Sequence, residues 1–195
     1  MQFTTFALAA LSLGSAIAGP IASPLAGFAG FDDAVAAVTK VQSIVEEQAN
    51  TINVLVKSAP STETITKIQQ SLVNVGTNIN ALHNVGINLG NFDAVKTPLS
   101  KEQKAAVPDF ASNFQGIFVT VQSISKTVTA GGLPQGVVAQ VQPQLQLVLS
   151  TAAPVTKPVI LFVTNAVPGG STLVAPLTGL VGNLSAVLGG LGLGL

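Results

Sequence analysis

The chain lacks cysteine, tryptophan, tyrosine and arginine, and it has one histidine. Without cysteine it can form neither disulfides nor thiolate sites, so its stability has to come from packing. Tryptophan, tyrosine and arginine dominate tight protein interfaces, so their absence disfavours a high-affinity protein partner. A single histidine excludes a zinc site built from several imidazoles, and no carboxylate cluster resembles a metal site.

Charge is also scarce. Eight lysines balance eight acidic residues, and charged residues make up 8% of the 195 residues, against about 25% in an average globular protein. A neutral chain of this kind is not expected to bind nucleic acid. Its length suits one domain of ordinary size. Its surface has to consist largely of Ser, Thr, Asn, Gln and exposed aliphatic side chains.

The few residues that could carry chemistry do not form a recognisable motif. No Gly-x-Ser-x-Gly sequence occurs, so a hydrolase has no local support. The acidic pairs Asp32/Asp33 and Glu46/Glu47 are adjacent in sequence, so on a helix each pair points in two directions. We therefore expect no enzyme, cofactor or metal ion. A dispersed triad around His83 is the enzymatic alternative.

Residues 1–18 predict a secretory signal peptide. An uncharged apolar run from about Phe6 to Ile17 leads to the small-x-small pattern Ala16-Ile17-Ala18, which is typical of a cleavage site. The run is shorter than the roughly 20 residues that a membrane span needs. We expect a secreted protein in which residues 19–30, rich in Pro, Ala and Gly, form an extended leader.

Three segments have apolar residues at spacings of three and four, which is typical of amphipathic helices. The first starts at the acidic pair of residues 32 and 33 and is expected to end near Ser58, before Pro60. The second is expected to be capped by Ser61 or Thr62. The apolar series are Val38, Val41, Val45, Ile52 and Leu55, then Ile65, Ile68, Leu72, Val75, Ile79, Leu82, Gly86 and Leu89, and finally Phe110, Phe114, Ile117, Val121, Ile124 and Val128.

Proline and glycine predict where helices end. Ser100 and Gln103 have the spacing of a capping box for a short helix, and Pro108 suits the first position of the next one. The stretch TAGGLPQG predicts a break after residue 128. Beyond it we expect shorter helical pieces, interrupted at Pro154 and Pro158.

Residues 169–195 form an apolar, glycine-rich segment without charge, ending in NLSAVLGGLGLGL. Each glycine weakens a helix by about 0.8–1.0 kcal/mol relative to alanine, so a spanning helix is not expected. Two interpretations stay open: a cleaved lipid-anchor signal, and an apolar tail that either packs on the helices or lies exposed. Asn183 begins the sequon Asn-Leu-Ser and is a candidate for N-glycosylation.

An isolated amphipathic helix buries too little apolar area to offset its conformational entropy. Several apolar faces must therefore meet. The sequence predicts an all-α fold, an antiparallel up-and-down helical bundle of four to six helices over residues 31–168. The extended leader precedes it, and the Gly/Pro-rich apolar tail follows.

The segments FDDAVAAVTKVQSIVEEQANTINVL, ITKIQQSLVNVGTNINAL and DFASNFQGIFVTVQSISKTV resemble the fungal hydrophobic surface-binding protein A family, which includes antigenic cell-wall galactomannoproteins. The similarity covers roughly residues 31–153. It implies an all-α secreted or wall-associated glycoprotein that adsorbs to hydrophobic solids or binds lipid. It also implies cell-wall polysaccharide or a recruited secreted hydrolase as partners.

The signal peptide, the aliphatic helix faces and the scarcity of charge predict a secreted, non-enzymatic protein that binds hydrophobic surfaces, lipid or fatty acid. Binding would use aliphatic faces or a cavity of the bundle. The alternatives are a structural cell-wall glycoprotein, with or without a lipid anchor, and a lipase or esterase. The predicted contact residues are Leu72, Val75, Ile79, Leu82, Phe110, Phe114, Ile117 and Val121.

Overall fold

The computed structural model describes residues 30–90 and 98–190, and every regular element in these two ranges is a helix. The elements are α1 (Phe31–Val56), α2 (Thr62–Gly90), α3 (Lys101–Ala130), α4 (Gln135–Ala166) and α5 (Gly170–Gly190). The all-α prediction is confirmed, with five helices in the described part. The predicted signal peptide and all but the last residue of the predicted leader lie outside the described residues.

Helices α1 and α3 lie side by side and run in the same direction. At one end, Gln103 Nε2 donates a hydrogen bond to Asp32 Oδ2 at 3.1 Å. Towards the other end, Thr127 Oγ1 donates to Asn53 Oδ1 at 2.9 Å. The residue numbers of the bonded partners rise together along both helices, so the pair is parallel.

Helices α2 and α4 form a second parallel pair. Gln69 Nε2 donates to the Gln140 carbonyl oxygen at 2.8 Å, and further along Gly86 meets Val155 and Pro158. A side-chain carbon added at Gly86 would lie 3.3 Å from the Val155 carbonyl oxygen, closer than most side chains tolerate. The absence of a side chain at Gly86 therefore sets how closely the two backbones approach.

The two parallel pairs are joined along their flanks. Helix α1 packs against α2, α3 packs against α4, and α5 lies against α4 and α3. Among the described residues, the backbones of the consecutive helices α2 and α3 are not adjacent, which differs from the prediction of antiparallel neighbours throughout. Residues 91–100 separate these helices in the sequence, and 91–97 lie outside the described part.

The helix faces predicted from spacing form the core. Every residue of the α3 series is at most 1% exposed. The α2 series is buried from Ile68 to Leu89, while Ile65 is partly buried. In α1, the apolar series is expected to be interrupted between Val45 and Ile52, at a position filled by Gln48 or Ala49; both are buried, at 3% and 7% exposed.

Phenylalanine rings tie the start of α1 to α3 and to the end of α4. The ring centroid of Phe31 lies 5.4 Å from that of Phe110 and 5.4 Å from that of Phe162. The contact continues along α3 from Phe110 to Phe114 at 6.3 Å and from Phe114 to Phe118 at 5.0 Å. These edge and offset arrangements add to the stabilisation from burial.

The predicted interruptions at proline were wrong. The capping box at Ser100 is confirmed, but the helix it starts continues through Pro108 to Ala130. Helix α4 likewise continues through Pro143, Pro154 and Pro158. Pro108, Pro143 and Pro154 are exposed, so the carbonyl that each frees one turn earlier faces water, and packing of the opposite face offsets the lost hydrogen bond.

Of the two forms left open for the apolar segment 169–195, packed on the helices or exposed, its described part takes the packed one, because Gly170–Gly190 is the helix α5. Val174, Leu177 and Leu184 are at most 4% exposed. Their spacing places them on one side of the helix, which packs on α3 and α4. The free energy gained by burying this side outweighs the low helix propensity of the glycines. Intrinsic propensity alone does not include that tertiary contribution. Residues 191–195 lie outside the described part.

We expect Phe118→Ala to lower the free energy of unfolding by about 3–5 kcal/mol, because it leaves a cavity in the core. The next residue, Val119, is 47% exposed, so Val119→Ala should change that free energy by less than about 0.5 kcal/mol. Urea unfolding followed by circular dichroism measures both variants. Equal losses would contradict the burial of the ring.

Candidate functional site

The structure places all eight predicted contact residues in the core, each at most 1% exposed: Leu72, Val75, Ile79 and Leu82 on α2, and Phe110, Phe114, Ile117 and Val121 on α3. In this conformation they contact other core side chains. Contact with a lipid or a surface would require the helices to separate, and such a role stays a prediction.

Apolar side chains that water does reach are concentrated on α2 and α4. The described residues expose six large apolar side chains, and four of them lie on this pair. Val73 and Ile87 on α2 are each 43% exposed, while Leu147 and Leu161 on α4 are 52% and 53% exposed. The other two are Val54 on α1 and Val119 on α3.

These four side chains flank the line of contact between the two helices. Val73 and Ile87 are separated by about four turns, or about 21 Å, and so are Leu147 and Leu161, so each pair lies on one side of its helix. A carbon added at Gly76 would lie 3.9 Å from Leu147 Cγ. Exposed Pro154 lies midway between Leu147 and Leu161. We call Val73, Ile87, Leu147, Pro154 and Leu161 the α2–α4 strip.

Charge is concentrated on the other half of the molecule. After Lys67, the remainder of α2 and the whole of α4 and α5 carry one charged residue, Lys157. The parallel pair α1 and α3 carries ten, all of them exposed: Asp32, Asp33, Lys40, Glu46, Glu47, Lys101, Glu102, Lys104, Asp109 and Lys126. The two parallel pairs therefore present surfaces of different character.

The two carboxylates whose pKa is lowered, Glu63 and Glu102, lie at the starts of helices and outside the strip. Ser100 Oγ accepts a hydrogen bond from the Gln103 amide and donates one to Glu102 Oε2. The backbone amide of Glu102, followed by the Ser100 hydroxyl, lowers the pKa of the Glu102 carboxyl. Lys67 Nζ lies 2.7 Å from Glu63 Oε1 and lowers the pKa of Glu63 through a hydrogen bond and charge. These contacts stabilise the first turns of α3 and α2.

The residues considered for chemistry are dispersed. His83 is exposed on α2, and the acidic pairs of α1 are exposed too. Within residues 30–90 and 98–190, no three His, Asp or Glu side chains are grouped as metal ligands. The sequon residue Asn183 is exposed on α5, while Leu184 beside it is buried.

Helix α4 is the one helix in the described part that is long and apolar enough to cross a membrane, and 47% of its most apolar window is buried. A core helix of a soluble protein meets the same criterion. Its packing against α2, α3 and α5 accounts for the composition of its buried side. The exposed side contributes Leu147 and Leu161 to the strip.

Comparisons with family models, curated proteins and solved structures find no match to this chain. The resemblance to the fungal hydrophobic surface-binding family therefore rests on the helical segments quoted above and stays a prediction.

Sequence reasoning missed the α2–α4 strip because it selected the residues with the most regular spacing, and these are the core. A usable signal was present. Val73, Ile87, Leu147 and Leu161 lie outside the regular series, in helices with almost no charge. Apolar residues on an uncharged helix surface mark a candidate contact surface.

The core that holds the predicted contact residues also contains a polar atom without a partner. Ser125 is 1% exposed, and its Oγ has no hydrogen-bond partner among the described residues. A buried hydroxyl of this kind costs stability because it gives up its hydrogen bond to water.

We expect Ser125→Ala to raise the free energy of unfolding by about 1 kcal/mol more than Ser123→Ala does. Ser123 is exposed on the same helix, so this control removes the gain in helix propensity from the comparison. Parallel urea titrations measure the difference. A smaller gain for Ser125→Ala than for its control would show that the hydroxyl is satisfied.

Proposed function

We propose that this is a secreted, non-enzymatic protein that adsorbs to hydrophobic surfaces or lipid through the α2–α4 strip. One observation carries the proposal: exposed aliphatic side chains gather on the nearly uncharged pair α2 and α4, while the exposed charges gather on α1 and α3. A molecule divided in this way can present its apolar half to a surface and its charged half to water.

The area of the strip sets the strength of this contact. Two helices, each about 10 Å wide, cover roughly 400 Å2 over about 21 Å of length. If all of that area were apolar, its burial would be worth about 10 kcal/mol, and association costs about 4–15 kcal/mol. Adsorption through the strip alone is therefore reversible.

The wider setting follows from the sequence and the resemblance. The signal-like start supports secretion, and the resemblance supports a place at the fungal cell wall, with polysaccharide or a secreted hydrolase as further partners. The exposed position of Asn183 suits a glycan in a mannoprotein. We propose that the five helices act as one bundle, built on the two parallel pairs, that keeps the strip in place.

The double variant Leu147→Ser/Leu161→Ser is expected to weaken adsorption to polystyrene beads and to phosphatidylcholine vesicles about thirtyfold. Each half-exposed leucine contributes about 1 kcal/mol to contact with an apolar surface, and about 1.4 kcal/mol corresponds to a tenfold change in affinity. Binding isotherms measure the effect. Val54→Ser/Val119→Ser is the matched control, because it removes two exposed apolar side chains from the charged half.

Adsorption should persist in about 1 M NaCl, where the Debye length falls to about 3 Å. Equal losses in the two double variants, or release by salt, would overturn the strip as the contact surface. A structural wall glycoprotein would behave differently, since retention in wall fractions would not depend on Leu147 and Leu161. Circular dichroism of both variants shows whether the helices are kept.

A further inference from the structure

The α2–α4 strip has an internal symmetry. Val73 and Leu147 lie at one end, and Ile87 and Leu161 lie about four turns further along their helices. The register of the two helices keeps the members of each end together, since Gly76 meets Leu147 and Gly86 meets Pro158. Consider a second copy of the chain related to the first by a two-fold axis that crosses the middle of the strip perpendicular to the helices. This axis places each apolar end of one strip opposite the other apolar end of the second strip.

From this symmetry we infer that the strip binds the strip of a second copy of the chain, with the helices of the two copies antiparallel. Val73 of one copy then faces Ile87 of the other, and Leu147 faces Leu161. Because α2 and α4 are parallel, their helix dipoles add within one copy. In the antiparallel dimer the dipoles of the second copy point the opposite way, which is the favourable orientation.

The centre of the strip suits such an axis. Asn80 is exposed and lies midway between Val73 and Ile87 on α2, so the axis brings the two Asn80 side chains together. An amide both donates and accepts hydrogen bonds, so two of them can pair. The only charge on α4, Lys157, lies three residues or about 4.5 Å along the helix from Pro154 at the axis, so the two lysines are offset by about 9 Å along the helices and their repulsion adds to the weakness of the dimer.

The dimer is weak. A footprint of roughly 400 Å2 on each copy gives about 800 Å2 in total, below the 1,200–2,000 Å2 of a standard interface. The chain also has none of the tryptophan, tyrosine and arginine residues that strengthen interfaces. The dimer therefore forms at high concentration and separates on dilution. That it also separates when the strip meets a hydrophobic surface rests on the proposed function.

Cysteine cross-linking tests the arrangement directly, because the chain has no cysteine of its own. Val73→Cys and Ile87→Cys proteins are mixed in equal amounts and oxidised, and the products are identified by mass spectrometry. We expect the mixed 73–87 disulfide to exceed the 73–73 and 87–87 species by about tenfold. A random mixture of the three, or monomer alone at high concentration, would overturn the antiparallel dimer.

Sedimentation equilibrium provides a second readout without oxidation. The mass should rise towards that of a dimer with concentration, and Asn80→Asp should weaken association about tenfold by placing two negative charges at the axis. Val54→Ser/Val119→Ser should leave association unchanged. If Asn80→Asp associates as strongly as the original chain, the inference fails. Adsorption without dimerisation would refute this inference alone, whereas dimerisation without adsorption would refute the proposed function alone.

Discussion

The close packing of α2 against α4 is the contact on which both the core and the candidate site depend. Glycine at position 86 lets the two backbones approach, since a carbon added there would lie 3.3 Å from the Val155 carbonyl oxygen, whereas one added at Gly76 would make an ordinary contact, 3.6 Å from Val148 Cγ2. The two helices therefore meet along one line of contact. Residues on the inner side of that line enter the core. Residues on the outer side, such as Val73 and Leu147, become one continuous surface. A wider separation would split that surface in two.

The second parallel pair is joined by a different chemistry. Polar side chains link α1 to α3 near both ends, through Asp32 with Gln103 and Asn53 with Thr127. The first of these hydrogen bonds is exposed and the second is partly buried; each adds little net stability, but together they favour this pairing and register of the helices. The pair that carries the charges is thus held by polar contacts at its rim and by phenylalanine packing within. The charged surface and the exposed apolar surface are separate because α1 and α3 carry most of the charged residues, whereas α2 and α4 carry most of the exposed large apolar side chains.

Much of the core was predictable, since spacings of three and four identify which residues of α1, α2 and α3 share a face. The continuity of α4 and the existence of α5 were not, because proline and glycine are judged locally while tertiary packing decides the outcome. The strip was harder still. Periodicity shows which residues lie together on a helix, but the exposure of Leu147 depends on the pairing of α4 with α2, a helix far away in sequence. The position of Leu147 outside the regular series and the scarcity of charge mark it as a candidate, but no local pattern shows which helix it lies beside.

For the proposed adsorption, the energetics favour the strip over the core as the contact surface. Exposing Leu72, Phe110 and their neighbours requires the helices to separate, which costs a large part of the roughly 5–15 kcal/mol by which a domain is stable. Contact through the strip requires no rearrangement, and it gains at most about 10 kcal/mol before association costs. That gain in free energy is too small to drive separation of the helices as well. If the protein adsorbs as proposed, the closed molecule therefore adsorbs first, and the core residues meet a surface only where the area offered greatly exceeds the strip.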